Sequence, residues 1–201
     1  MQIVLDIFFT EIHSDLMRNI CLLLAVLFAL NACNIFDLRD AELPSEEARW
    51  NDFTSSWQLV LENLYFSYED SRNAINYGRL FHPDYRFIFA QQDIIDYSTD
   101  AQWVSSQEQD MLLNLHAGFH DIKILMEPLE AQDEISSNEA RIYRNYEIEA
   151  VPASGTESQL IAQGNLDLQL RKQNGYWYIY RWYDYRSSGE RTWGLLKYEN
   201  G

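Results

Sequence analysis

The amino-acid sequence predicts an α+β domain in which helices pack on one face of a mostly antiparallel sheet. Apolar residues recur at three- and four-residue spacing in the first half of the chain and alternate by twos in the second half. Short turn-forming segments separate the alternating stretches. Helices followed by a run of strands are typical of the α+β class. With 201 residues and 47% hydrophobic content, we expect one domain, from residue 45 to 201.

Three helices are predicted in the first half of the domain. Ser45 caps the first helix, and Glu46 and Glu47 suit the positive end of its dipole. The apolar stripe of this helix comprises Trp50, Phe53, Trp57, Leu61, Leu64 and Tyr68. The second spans about 71–81, presents Ala74, Tyr77 and Phe81, and stops at His82-Pro83. The third opens with a capping box at Ser105–Glu108, directs Met111, Leu112 and Leu115 inward, and ends at Gly118.

Alternation by twos predicts the strands. A first strand carries Tyr85, Phe87 and Phe89 between the second and third helices. Later strands present four apolar sets, which are Ile122, Ile124 and Met126; Ile142, Tyr146 and Ile148; Leu166, Leu168 and Leu170; and Trp177 and Ile179. Turns are expected at 134–139, 152–158 and 173–175, where Asn174-Gly175 is a tight hairpin signal.

This order of elements resembles the NTF2-like (SnoaL-like) superfamily over roughly residues 50–190. The segment Leu80-Phe81-His82-Pro83-Asp84-Tyr85 leads from a short helix into a strand. The segment from Gly175 to Asp184 is similar to the Gly-x-Trp-x-Ile-x-x-Trp-x-Asp ending of that superfamily. The resemblance implies a cone, made by a strongly curved sheet wrapped around about three N-terminal helices. It implies no single activity, because the superfamily includes isomerases, dehydratases, transport factors and members without chemistry.

The N-terminal segment has the layout of an export signal. Arg18 precedes an unbroken apolar run of 11 residues, Ile20 to Leu30, which is about half of the roughly 20 that a membrane-spanning helix needs. The tetrapeptide Leu30-Asn31-Ala32-Cys33 resembles a bacterial lipobox, with Asn31 as a departure. That resemblance implies cleavage before Cys33, lipidation of Cys33 and attachment to a bacterial membrane, the alternative being ordinary cleavage and release. We therefore expect 17–32 to be a signal peptide and 33–44 a tether.

Acidic residues place residues 1–16 outside that signal. Asp6, Glu11 and Asp15 lie where an export signal is positively charged, so 1–16 is expected to be a spurious upstream extension, with translation starting at Met17. Without residues 1–32 the chain keeps 14 basic and 28 acidic residues, a net charge of −14. Such a domain repels phosphate backbones, and nucleic-acid binding is therefore not expected.

No cofactor and no metal site are predicted. Cys33 is the only cysteine of the mature chain, which leaves no internal disulfide and no thiolate cluster. His116 and His120 have the spacing of a helical zinc pair, but Gly118 between them is expected to end the helix. They and His82 are better interpreted as surface or capping residues.

Two arginines lie in line with apolar strand positions. Arg144 falls in register with Ile142 and Tyr146, and Arg181 with Trp177 and Ile179. A charge on an inward face is costly unless it is paired. Both arginines either line a cavity and bind a carboxylate, or pair with an acid such as Asp184 or Glu147. A β-bulge would instead return them to solvent.

Acids and tyrosines complete the candidate site. Superfamily enzymes use an acid or a histidine inside the cone with a tyrosine as hydrogen-bond donor. The available groups are Asp93, Asp96 and Asp184, with Tyr85 or Tyr143 as the donor. The alternative is that they are solvated loop carboxylates and core tyrosines.

In the last strand, rings fall on both faces. Tyr176, Tyr178, Tyr180 and Trp182 alternate with Trp177, Ile179, Tyr183 and Tyr185. One face belongs to the core. The other is either an exposed patch for a partner protein, a glycan or a homodimer, or it is covered by helices or by residues 192–198.

The sequence thus favours a non-enzymatic, lipid-anchored module that binds a small ligand or a protein partner. The alternative is an isomerase, dehydratase or hydrolase that uses Asp96 as base and Arg181 as anion stabiliser. A closed pocket with a carboxylate in reach of an internal tyrosine would favour the enzyme. A cone plugged by tryptophan and phenylalanine would favour the binding module.

Overall fold

A computed structural model describes residues 47–130, 132–187 and 191–201. Ala48–Gly201 forms one compact unit. The predicted upstream extension (1–16), signal peptide (17–32), lipidation site Cys33 and tether (33–44) lie outside the described residues. Within the described ranges, no helix combines the length and the apolar character needed to cross a membrane.

The described part of the chain contains five helices. Two short 3-10 turns, Ser71–Asn73 and Gly78–Leu80, flank the second of them. The helices are α1 (Trp57–Glu69), α2 (Ala74–Tyr77), α3 (Gln91–Tyr97), α4 (Ser105–Gly118) and α5 (Trp193–Asn200).

Seven strands form one mixed, curved, open sheet, and together with the five helices they give the predicted α+β fold. The strands are β1 (Phe81–Ile88), β2 (Gln102–Trp103), β3 (Phe119–Pro128), β4 (Glu134–Ile135), β5 (Glu139–Pro152), β6 (Gln159–Gln173) and β7 (Tyr176–Tyr185). Their order is β2-β1-β7-β6-β5-β3, with β4 paired to β5. The β1–β7 pair is parallel and the other pairs are antiparallel. Helix α1 packs on β3 and β7, α4 on β1, and α5 on α4 and β6. We call the sheet face toward these helices the inner face.

The first helix begins later than predicted. It starts at Trp57, and the residues before it follow a non-helical path. The Asn63 side chain holds that path, because it accepts from the Asn51 amide at 2.8 Å and donates to the Asn51 carbonyl at 2.9 Å. Trp177 donates its amide to the Thr54 carbonyl at 2.8 Å. Phe53 consequently leaves the core stripe and is 69% exposed.

The other two predicted helices are confirmed with changes. Between residues 71 and 80 the chain forms α2 and its two 3-10 turns, whereas His82-Pro83 already belongs to β1. Helix α4 has the predicted ends and the predicted inner residues. At its start, however, the Val104 amide donates to the Gln107 side chain at 3.1 Å, and Glu108 is completely buried instead of capping the helix.

The predicted strands and the hairpin are confirmed. The apolar set of β6 is buried, and the predicted turn between β6 and β7 has positive φ at Asn174 (53°) and Gly175 (90°). Helices α3 and α5 and the short strands β2 and β4 were not predicted, and β4 lies within the segment 134–139 that was predicted to be a turn.

A bulge in β7 corrects the predicted faces of the last strand. Leu170 pairs with Ile179 and Gln169 with Arg181, so Tyr180 is an extra residue. Beyond it the alternation shifts by one. Trp182 and Asp184 therefore join Trp177 and Ile179 on the inner face.

Candidate functional site

The interior between the inner face and the helices is filled by α5. Trp193 and Lys197 have no exposed surface. The Trp193 ring lies 4.5 Å from Trp182, 5.1 Å from Tyr146 and 5.4 Å from Tyr68, measured between ring centroids. Its indole nitrogen donates to the Tyr68 hydroxyl at 2.8 Å. The predicted cone is thus plugged by the chain's own C-terminal helix.

Two buried carboxylates hold the start of α5. The Gly194 amide donates to Asp184 Oδ2 at 2.6 Å, and the Thr192 hydroxyl donates to Asp93. The Trp193 amide donates to the Tyr146 hydroxyl at 2.6 Å, which in turn donates to Asp184 Oδ1 at 2.7 Å. Negative groups at the positive end of a helix dipole are stabilising.

Glycine is required at position 194 by this close approach. A Cβ added there would lie 2.9 Å from Asp184 Oδ2 and 3.0 Å from the Phe89 ring. Any larger residue would push the helix start away from the carboxylate.

Asp184 is a candidate acid by its environment. Complete burial raises the pKa of its carboxyl to about 6, because the charged form loses its hydration. The hydrogen bonds from Tyr146 and Gly194 favour the charged form and oppose that rise.

Glu108 is the centre of a second buried cluster. Its carboxylate accepts from the Tyr85 hydroxyl at 2.7 Å, from the Tyr77 hydroxyl at 3.0 Å, and from the Lys197 ammonium. Burial, with Glu108 next to them, raises the pKa of both tyrosines well above the usual value. Burial lowers the pKa of Lys197, and the attraction of Glu108 opposes the change. Glu108 and Asp184 therefore each have a tyrosine in reach, and each also binds α5.

Among the candidate ligand-binding residues, Tyr85 and Arg144 lie on the inner side. Tyr85 is completely buried and donates to Glu108. Arg144 is 9% exposed and forms a two-pronged ion pair with Asp133, with both N–O distances at 2.7 Å. Its partner is neither Asp184 nor Glu147, but the expected pairing of an inward charge is found.

Two other candidates, Arg181 and Asp96, lie outside the interior. The bulge at Tyr180 turns Arg181 to the outer face, where it donates to the Asp84 carbonyl at 2.6 Å. Asp96 projects from α3, has a half-exposed side chain, and pairs with Arg186 at 2.6 Å. The expectation that Asp96 and Arg181 share a cone cavity is therefore wrong, because a bulge and an unpredicted helix change their directions.

Sequence reasoning missed Glu108 and Lys197. A signal for Glu108 exists, since it precedes Met111, Leu112 and Leu115 at helical spacing and so shares their inner face. Lys197 offers a weaker signal, four residues after Trp193 in a segment that we did not identify as a helix.

The histidines do not converge. His116 bonds to the Ser67 carbonyl at 2.9 Å, and His82 accepts from the Asp84 amide at 3.1 Å. Among the described residues, no three His, Cys, Asp or Glu side chains come together as metal ligands do.

On the surface, a cleft of about 500 Å³ opens between residues 50–54 and the β6–β7 hairpin. We call it the aromatic cleft. Phe53 and Tyr176 stack in one wall with ring centroids 6.2 Å apart, and Arg79 and Asp52 form an exposed ion pair at 3.3 Å. The remaining rings along the cleft are Trp50, Phe81 and Tyr178.

Solved structures of other proteins are similar to this chain. A protein of unknown function from Mycobacterium tuberculosis is 15% identical, with a TM-score of 0.51 over 66% of this chain and 70% of that one. A Novosphingobium aromaticivorans protein with the provisional name aromatic ring hydroxylase is 11% identical, with a TM-score of 0.51 over 66% and 87%. An NTF2-like superfamily protein from Salmonella enterica is 14% identical, with a TM-score of 0.43 over 65% and 89%.

Proteins of this fold thus include one of unknown function and one named for an enzyme activity. At these identities the likeness concerns the fold alone. No protein-family model and no curated protein matches the sequence.

Proposed function

We propose that this chain is an exported lipoprotein, attached to a bacterial membrane through Cys33, whose NTF2-like domain binds a ligand or partner without catalysing a reaction. The observation that carries the proposal is the occupied interior. Trp193 and Lys197 take up the space between sheet and helices, and neither has exposed surface.

The same observation argues against catalysis inside the domain. A general acid or base must reach the substrate within hydrogen-bond distance. Glu108 and Asp184 have suitable tyrosine neighbours, but their oxygens already accept bonds from α5. A substrate would have to displace the helix before it reached either group.

The ligand site of this proposal is the aromatic cleft. It has the size of ordinary small-molecule sites, about 300–1,000 Å³. Exposed rings such as Phe53 beside hydrogen-bonding groups such as Asp52 and Arg79 provide contact area and directional bonds together.

One observation favours the enzyme as a second candidate. Asp184 and Tyr146 are 2.7 Å apart, and Glu108 and Tyr85 are also 2.7 Å apart, so each pair joins a buried acid to a hydroxyl donor. In that case the base is Asp184 or Glu108 instead of Asp96, and α5 is a lid.

Amide hydrogen exchange separates the two candidates. For the binding module, the amides of α5 from Leu196 onward exchange as slowly as those of β5 and β6, because the helix is released only by global unfolding. The exposed residues Ser137 and Asn138 serve as the fast-exchanging reference within the same sample. Exchange in α5 that is orders of magnitude faster than in β5 and β6 would support the lid and overturn the proposal.

The location of the ligand site is tested with the membrane-extracted protein and its co-purifying small molecules. A bound molecule is expected to be lost from Phe53→Ala, which removes one wall of the cleft. It is expected to remain on Tyr185→Ala, a matched control, because Tyr185 is an exposed ring (47%) that does not line the cleft. Loss from both variants, or from neither, contradicts a site in the cleft.

A further inference from the structure

The ammonium group of Lys197 is surrounded by aromatic rings as well as by Glu108. Nζ lies 4.5 Å from the Trp182 ring centroid, 4.9 Å from that of Phe87 and 5.9 Å from that of Tyr77. The Tyr77 hydroxyl is 3.3 Å from Nζ. We call Tyr77, Phe87, Glu108 and Trp182 the ammonium box.

This combination is the chemistry by which proteins recognise ammonium ions. Ring faces are negative, and a cation within about 6 Å of a ring centroid is attracted more strongly when water is excluded. The carboxylate of Glu108 supplies the compensating charge and accepts from the ammonium. Rings and carboxylate together select a positively charged donor over a neutral group of the same size.

Stability alone is a poor explanation for a charge at this place. Removing an ammonium and a carboxylate from water costs several kcal/mol for each ion, and well-packed apolar residues often replace such a pair without loss. Both Lys197 and Glu108 have no exposed side-chain surface. The box is therefore suited to a cation in a way that an apolar core is not.

The box is also independent of the element that fills it. Tyr77 belongs to α2, Phe87 to β1, Glu108 to α4 and Trp182 to β7, whereas Lys197 alone comes from α5. Tyr85, which donates to Glu108 from β1, further fixes the carboxylate. The sheet and the earlier helices thus position every group of the box.

We propose that the ammonium box is a binding site for aliphatic primary amines, and that α5 fills it as a tethered ligand through Lys197. The inference concerns the interior and does not rest on ligand binding in the aromatic cleft. It assigns to the cone a ligand class, a protonated alkylamine, which the chain supplies from its own C-terminal helix.

Chemical rescue of Lys197→Ala in the full-length chain tests this assignment. The alanine retains Cβ, so n-propylammonium supplies the three carbons and the nitrogen that are removed. We expect n-propylammonium chloride to raise the unfolding temperature of the variant saturably, with half-saturation on the order of 1 mM for so small a ligand. The tryptophan fluorescence of the variant, to which Trp182 in the box contributes, should change over the same concentration range.

Five controls isolate the charge. The same concentrations of 1-propanol and of sodium chloride should give no saturable effect. The wild type should not respond, because Lys197 occupies the site. Lys197→Met should not respond either, since its neutral chain fills the space. The double variant Lys197→Ala with Glu108→Gln should lose the response, because the charge partner is gone.

Two results would overturn the proposal. One is equal stabilisation by n-propylammonium and 1-propanol, which would show a cavity that accepts any small molecule. The other is no stabilisation of Lys197→Ala by the amine. If Lys197→Ala is unfolded without additive, refolding by the amine but not by the alcohol is the same test, and failure of both to refold it counts against the site.

Discussion

At the scale of single residues, Asp184 couples the stability of the domain to pH. Its folded pKa of about 6 lies above the ordinary value near 4, so the native state binds a proton more tightly than the unfolded chain. The stabilisation that this group contributes is therefore fully present at pH values below its pKa in the unfolded chain. It is lost as the pH rises through its pKa in the folded protein. The relevant window is about pH 4 to 6.

Asp184→Asn is expected to remove this dependence. Since one pKa unit is worth about 1.4 kcal/mol, the unfolding free energy of the wild type minus that of the variant should fall by up to about 3 kcal/mol between pH 4 and pH 6.5. Urea unfolding across this range provides the measurement. Any cost of the altered hydrogen bonds to Tyr146 and Gly194 shifts the whole difference curve without changing its slope.

Asp110→Asn is the matched control, because Asp110 is exposed on α4. Its difference from the wild type should be small and flat over the same range. A flat curve for Asp184→Asn as well would mean that the pKa of Asp184 is the same in the folded and the unfolded protein.

At the scale of elements, β7 shows which features the sequence predicts and which it does not. Alternation identified the strand, and its hairpin was placed correctly by Asn174-Gly175. The faces after Ile179 were predicted wrongly, because aromatic residues occupy both alternating sets and the pattern does not mark the extra residue. The bulge decides that Asp184 faces α5 and that Arg181 faces outward.

Two deletions in β7 are expected to have unequal effects. Deleting Tyr180 removes the extra residue and leaves Ile179, Arg181 and Trp182 on their present faces. The cost is the Tyr180 ring, which lies 3.8 Å from the guanidinium carbons of Arg171 and Arg181, each contact being worth about 0.5–1 kcal/mol. Deleting Tyr183 instead turns Asp184 outward, away from Tyr146 and Gly194.

We therefore expect the Tyr180 deletion to fold, with a loss of about 1–2 kcal/mol in unfolding free energy. The Tyr183 deletion should not fold cooperatively. Near-ultraviolet circular dichroism and thermal unfolding of the two proteins make the comparison. A Tyr183 deletion as stable as the Tyr180 deletion would be inconsistent with the bulge assignment.

Contacts between residues distant in sequence also explain the other features that the sequence predicted wrongly. Residues 50–54 have helical spacing, yet hydrogen bonds to Asn63 and Trp177, distant in sequence, hold them in another path. The sequence pattern predicts that Glu108 is a capping residue. Only the contacts of α4 with α2, β1 and α5 show that it is a buried acid. Local patterns predicted the elements, while contacts distant in sequence determine their ends and the interior site.

At the scale of the whole molecule, charge and lipid have separate roles in the proposed function. The chain from Cys33 onward carries a net charge of −14, and a strongly acidic protein is repelled by anionic membrane surfaces. The described helices offer no membrane span. Attachment in this proposal therefore depends on acyl chains at Cys33, since two or more chains are needed for stable anchoring.

Cys33→Ser is expected to abolish membrane attachment. Wild-type protein should sediment with membranes after alkaline carbonate extraction, and mass spectrometry should find an acylated N-terminal peptide that begins at Cys33. The serine variant should lack the acyl mass and leave the carbonate-washed membranes. Cys21→Ser is the matched control, because Cys21 lies within the apolar run that cleavage removes and its loss should change neither result.

An intact segment 1–32 or an unmodified Cys33 in the wild type would refute the lipoprotein assignment. The binding assigned to the domain would remain open to its own tests, because α5, the ammonium box and the aromatic cleft all lie between Trp50 and Asn200.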